Sequence, residues 1–259
     1  MADRPTITVP TPAGGWLAPW PNVAEIAAAL PHTAWTLVGG LMTQLHTIHH
    51  GLDVVRPTND VDIVLHVEST RGLPAQASRV LESLGYQMLT SIDPRERTAH
   101  RFVRGTDRID LVTTRDDVVD VVDVLVADHA APRVVEPLRG RDLVAIEGGT
   151  QALRRTVNAG LVIDGDPTTI SVPNVFGALV LKAAAYRTDS RDRERHLQDA
   201  AALLCCLDDP FAARETFAGS DRQRIATLTR NLPDHSRYWN AIPSEARREG
   251  QTALRILAS

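Results

Sequence analysis

Lysine is almost missing from this chain: of 28 basic residues, Lys182 alone is lysine and the others are arginine. The bias fits a GC-rich coding sequence and by itself says nothing of function. It leaves one compact, strongly hydrated ammonium among planar guanidinium groups, which makes Lys182 a candidate on chemical grounds. Cysteine is nearly as scarce. Cys205 and Cys206 are neighbours in an apolar helical pattern and so point in different directions. That excludes a disulfide framework or a thiolate metal site and implies a reducing, cytoplasmic setting. No apolar run approaches the roughly 20 residues of a membrane-crossing helix, and Met1-Ala-Asp-Arg-Pro-Thr6 has no signal-peptide pattern. A net charge of only −4 excludes a global basic field for nucleic acid, although arginines cluster locally at 187–195 and 222–230.

What is present is an ordinary globular composition, 43% apolar and 23% charged over 259 residues, enough for one large or two modest cores. Residues 1–21, rich in Pro, Gly and Thr, read as an irregular arm. Residues 22–172 read as an α/β region. The pattern predicts helices at 22–30, 41–50 and 73–84, with strands at 35–38, 61–67, 86–90, 101–104, 108–113 and 118–126 and a hairpin turn at Thr106-Asp107. Short β-like runs follow at 143–146, 161–163 and 169–172, around Gly148-Gly149-Thr150-Gln-Ala-Leu153. Residues 173–259 read as a helical region, with helices at 175–187, 191–207, 211–218, 221–232 and 243–258. The fold class is α+β: a mixed sheet flanked by helices, then a helical C-terminal domain.

The chemistry concentrates in Val38-Gly39-Gly40 and Arg56-Pro-Thr-Asn-Asp60-Val-Asp62. On a strand, residues i and i+2 share a face. Asp60 and Asp62 therefore project together from one strand end, a geometry suited to a divalent ion with oxygen ligands. The glycine pair follows its own strand, and bare backbone there approaches a phosphate closely. An ion held for phosphoryl or nucleotidyl transfer usually takes a third acid from a neighbouring strand. Asp110 and Asp123 are both lone acids in apolar β-runs, where an unpaired carboxylate is costly to bury. A second constellation lies on the helices, with Lys182 among alanines, then Arg187 and Arg191-Asp192-Arg-Glu-Arg-His196-Leu-Gln-Asp199. Asp199 could pair with Lys182, position Lys182 or Arg187, or act as a base. The plainer alternative is a charged helix surface laced by Asp192–His196 and Arg195–Asp199 pairs at i,i+4.

Together, Gly39-Gly40, Arg56 to Asp62, Lys182, Arg191-Asp192 and His196 to Asp199 resemble the AbiEii/MenT-like nucleotidyltransferases of the polymerase-β-type superfamily, over residues 33–207. That family includes toxins of type IV-like toxin–antitoxin systems. The resemblance implies a nucleotidyltransferase fold and transfer of NMP from an NTP with Mg²⁺ (or Mn²⁺). It implies the 3′ end of tRNA, or another RNA, as acceptor, and an antitoxin protein as partner. It further implies that Asp60, Asp62 and a third acid hold the metal. Gly39 and Gly40 would meet the triphosphate, Lys182 would neutralise phosphate, and Asp199 would complete the site. Thr43, Arg56, Arg187 and Arg191 join the nucleotide-binding set. A Val-Asp-Val-Leu phrase followed by Gly-Gly-Thr-Gln-Ala-Leu matches the layout of such proteins and favours Asp123 over Asp110. The chain departs from the family in the nineteen residues between Gly40 and Asp60, longer than usual, and in lacking a Ser or Thr directly after Gly-Gly. Nucleotidylation of a small molecule, as in aminoglycoside-modifying relatives, or of a protein is the alternative reaction. An inactive nucleotide-binding module is a further alternative, opposed by the intact Asp60/Asp62 pair.

Overall fold

The computed structural model describes residues 4–52, 56–90, 97–105, 119–131 and 135–259. The expected strand at 108–113, its hairpin turn and Asp110 lie outside them. A strand β1 (Thr6–Thr8) is followed by α1 (Trp20–Ala29), β2 (Trp35–Leu37), α2 (Gly39–His49), β3 (Asp60–Leu65) and α3 (Leu73–Ser83). Next come β4 (Gln87–Met88), β5 (Arg101–Arg104), β6 (Asp120–Ala127), β7 (Val144–Ile146) and the short α4 (Gly149–Leu153). The hairpin β8 (Thr156–Ile163) and β9 (Asp166–Pro173) leads into α5 (Val175–Thr188), α6 (Glu194–Leu204), α7 (Pro210–Glu215), α8 (Asp221–Asn231) and α9 (Ser244–Ala258).

The main sheet is mixed, in the order β2-β3-β6-β5-β4, with β7 on the far half of β6. Its central pair, β3 and β6, is parallel, and the register sets Asp62 opposite Asp123. On its other side β6 runs antiparallel to β5, with Arg101 opposite Asp123. β6 is buried on both faces from Val122 onward, which is why its sequence is an almost unbroken apolar run rather than an alternation. Asp123 interrupts that run where three strands meet.

Two sequence expectations are corrected. The arm at 1–21 is not wholly irregular, because Thr6-Ile7-Thr8 pairs in parallel with Asn158–Gly160, as the β-branched triplet favours. The runs near 161 and 169 belong to longer strands in a separate three-stranded sheet, β1-β8-β9. The turn between β8 and β9 is Asp164-Gly165, both at positive φ (52° and 91°). Asp-Gly is the usual signature of a tight hairpin.

α5 buries residues on every side, from Phe176 to Ala184, so it is the central helix of the C-terminal group rather than a surface one. Asn174 opens it, its side chain accepting from the Gly177 N–H at 2.9 Å. α6 packs on α5 and also against α2. That double contact brings the helical region onto the glycine turn at the end of β2. Apolar side chains from both regions merge into one continuous core.

Candidate active site

Asp60 and Asp62 stand on one face of β3, and Asp123 stands beside Asp62 on β6. One carboxylate oxygen from each lies within 4.8 Å of the others. Three hard oxygen donors on one point suit a Mg²⁺ or Mn²⁺ ion better than a thiophilic metal. Electrostatics point the same way. Burial, reinforced by the negative charges of Asp60 and Asp123, pushes the Asp62 carboxyl up to about 7. Lys182 and Arg195 oppose that rise without cancelling it. Asp62 is therefore short of positive charge in its surroundings, and a divalent ion held by the three acids would supply it. Thr58 steadies its outer edge by donating from Oγ1 to Asp60 Oδ1 at 2.7 Å.

The glycine pair serves these acids directly. Gly39 has φ +69°, and a Cβ there would sit 1.8 Å from Asp62 Oδ2. At Gly40 a Cβ would sit 2.7 Å from Thr58 Oγ1. The two glycines thus make room for Asp62 and Thr58 as well as opening α2, whose first N–H groups have no partner inside the helix. Gly39→Ala is expected to cost more than about 2 kcal/mol, from the left-handed backbone plus displacement of Asp62. Thermal unfolding with and without Mn²⁺ checks it: Tm should fall, and the stabilisation by Mn²⁺ should shrink.

Lys182 and Asp199 meet on the helical side. Lys182 Nζ donates to Asp199 Oδ2 at 2.6 Å and to the Gly39 carbonyl at 2.8 Å. Arg56 closes the other side of Asp199, with Nε to Oδ1 at 3.0 Å and a second, longer contact to Oδ2 at 3.3 Å. Burial pushes the Asp199 carboxyl up, but the charges of Lys182 and Arg56 more than offset it and hold the group below the usual range. Lys182 is 4% exposed, so in this structure the ammonium ties the glycine turn to α6. The Asp192–His196 and Arg195–Asp199 pairs of the plainer alternative are not made. Asp199 turns to Lys182 and Arg56, while Asp189 accepts from Arg195, from His196 Nε2 and from the Arg191 and Asp192 N–H groups. Asp189, just past α5, nucleates the turn that aims α6 at the acids.

A cavity of about 340 Å³ opens next to this network. Gly40, Thr43, Arg56, Asp199, Tyr238 and Ile242 are among the residues that line it. The Thr43 hydroxyl is buried there without a partner, free to meet a ligand. Arg187 and Arg191 lie elsewhere, exposed at the end of α5 and in the turn before α6. Two side chains escaped the sequence-derived site, Thr58 and Arg101, while Arg195, offered by the sequence as a partner of Asp199, pairs with Asp189. Arg101 is the more consequential, since it grips Asp123 through both oxygens, Nε to Oδ1 at 2.9 Å and a terminal nitrogen to Oδ2 at 2.7 Å. Only the β5–β6 register reveals that pairing.

No family model matches the chain, and no curated protein matches it. A solved structure, that of an antigenic nucleotidyltransferase-like protein from Paracoccidioides brasiliensis, is similar at a TM-score of 0.47 and 15% identity, over 85% of this chain and 92% of that one. So distant a likeness leaves the chemistry to be read from the side chains. Among the described residues, no helix is long and apolar enough to cross a membrane.

Proposed function

We propose that this protein is a divalent-metal-dependent nucleotidyltransferase that moves an NMP from an NTP onto an acceptor. The observation that carries the proposal is the convergence of Asp60, Asp62 and Asp123 within 4.8 Å, with Asp62 pushed up to about 7 by burial and its acidic neighbours. A Mg²⁺ ion bound there would orient the triphosphate and neutralise charge on the attacking and leaving oxygens. The chain's own groups do the rest. The N–H groups at the start of α2, beginning with Gly39 and Gly40, donate to phosphate oxygens. The cavity between Thr43 and Tyr238 takes the nucleoside, with the Thr43 hydroxyl as a free hydrogen-bonding group and Tyr238 as an aromatic wall. Arg195 on α6, whose charge acts on Asp62 and whose terminal nitrogen pairs with Asp189, offers a cation to the triphosphate. Its Nε is buried without a partner. Lys182 and Arg56, bound to Asp199, hold the glycine turn and the cavity wall in place.

The acceptor proposed is RNA. Arg187, Arg191 and Arg193 are exposed around the turn between α5 and α6, and guanidinium groups there fit phosphate contacts. The family that the motifs resemble further implies the tRNA 3′ end and a toxin paired with an antitoxin. Incubation with Mg²⁺, each α-labelled NTP and total tRNA tests this. Label on RNA is expected. Label on protein or on a small molecule instead would replace the acceptor, and saturable NTP binding without any transfer would leave only a binding module.

A further inference from the structure

Asp123 is the acid that completes the cluster, yet both of its oxygens are already held by Arg101. The pairing is built into the sheet. Arg101 and Asp123 are direct register partners on β5 and β6, so the backbone sets the guanidinium fork against the carboxylate, a strong and geometrically specific form of ion pair. The two partners are unequal in freedom. The Asp123 side chain is 8% exposed and the Arg101 side chain 41%. Asp123 is locked in the sheet, whereas Arg101 has solvent to swing into. Among the described residues, no other side chain hydrogen-bonds the Asp123 carboxylate.

Each Asp123 oxygen keeps a second lone pair, but a divalent ion there would meet a full positive charge directly across the carboxylate. The ion and the guanidinium therefore compete for one anion. Arg101 also feels the charges of Asp60 and Asp62. An arriving triphosphate changes the balance, because its oxygens match the same fork and can accept the guanidinium as it leaves Asp123.

We propose that Arg101 is a positioning residue that keeps Asp123 from the divalent ion until a nucleotide phosphate takes its guanidinium, so that the three-acid site forms fully only with nucleotide present. The inference rests on the metal-dependent reading above. It makes Arg101 a stand-in cation in the free protein. Idle metal binding is suppressed, and ion capture is coupled to substrate.

The test is Mn²⁺ affinity, measured by the electron paramagnetic resonance of free Mn²⁺, with no nucleotide present. Arg101→Gln should bind Mn²⁺ about tenfold more tightly than wild type, the same scale as, but the opposite sign to, the loss that follows removal of a group supporting a metal's ligands. The gap should narrow when α,β-methylene analogues of the four NTPs are added. Arg104→Gln is the control. Arg104 also pairs with an acid across the same two strands, Asp120, but its odd-numbered offset puts it on the opposite face, so its loss should leave Mn²⁺ affinity unchanged. If Arg101→Gln does not fold, Arg101→Lys, which keeps the charge but loses the fork, should raise affinity by less than the glutamine change is expected to. An Mn²⁺ affinity equal to or weaker than wild type in the folded Arg101 variant, while Asp62→Asn destroys binding, overturns the role of Arg101 alone. Unchanged Mn²⁺ binding in Asp62→Asn overturns the metal-site reading itself.

Discussion

Asp62→Asn is expected to lower nucleotide transfer on the order of 10³-fold or more, the scale of losing a group that stabilises developing charge, while the fold survives. Asp62 is the middle acid of the cluster, between Asp60 on its own strand and Asp123 on the next. An amide keeps the shape and one acceptor oxygen but removes the charge that an ion needs. Steady-state rates with saturating NTP and Mg²⁺ give the first half of the result.

Stability against pH gives the second half, and its sign is opposite to that of an ordinary salt-bridged acid. The Asp62 carboxyl, ordinarily at 3.8, is pushed up to about 7, so the folded metal-free protein holds a proton that the unfolded chain has released. Its contribution is fully present below about pH 4. It falls away as the pH rises toward 7 and stays lost above that. In EDTA, Asp62→Asn should therefore be more stable than wild type at pH 8 and equal to it near pH 4. Adding Mg²⁺ at pH 8 should stabilise wild type and do little for the variant. Differential scanning calorimetry across that range checks all three statements. A variant less stable than wild type at pH 8 would mean that the acids do not repel one another.

Lys182→Met should be the most destabilising single change in the helical region. Asp199 is 2% exposed and is held by Lys182 and Arg56 together. Losing one cation leaves a buried carboxylate half-compensated, and breaking buried pairs costs 3–5 kcal/mol. Because Arg56 remains, the expected loss is about 3 kcal/mol, or roughly 6–12 °C in Tm for a chain of this size. The Gly39 carbonyl loses its partner as well. Transfer should therefore fall even at temperatures where the variant is folded. Lys182→Met combined with Asp199→Leu should recover part of the stability and none of the activity. The Asp199 carboxyl is held low, so its contribution is present above about pH 4 and lost below it. Wild type and Lys182→Met should accordingly converge in acid.

How much of this could be read in the sequence depended on the distance over which each feature is encoded. The Asp60/Asp62 pair needs only the alternation of a strand. The helices from 175 to 258 follow from local periodicity and fall within a few residues of expectation, since each carries its own pattern and boundaries. Asp123 was a lone acid in an apolar run, equal on residue grounds to Asp110 until a family layout favoured it. The β3–β6 register, which no local pattern encodes, is what puts it beside Asp62. Arg101 was invisible for the same reason, whereas Thr58, two residues before Asp60, lay inside the motif without a pattern that marked its role. The Lys182–Asp199 pair, 17 residues apart, is one that the sequence offered; their further partners lie 143 residues back in the chain, at Gly39 and Arg56, where no local pattern points. The hairpin at Asp164-Gly165 did carry a local signal, in the Asp-Gly pair itself.

The most direct test of the central claim is a pair of parallel reactions with total RNA and Mg²⁺, one with α-labelled and one with γ-labelled NTP. Nucleotidyl transfer at Asp60, Asp62 and Asp123 predicts α-label on the acceptor, γ-label only in pyrophosphate, and neither product with Asp62→Asn or with EDTA. Appearance of γ-label on the acceptor, or full α-transfer by Asp62→Asn, would contradict it.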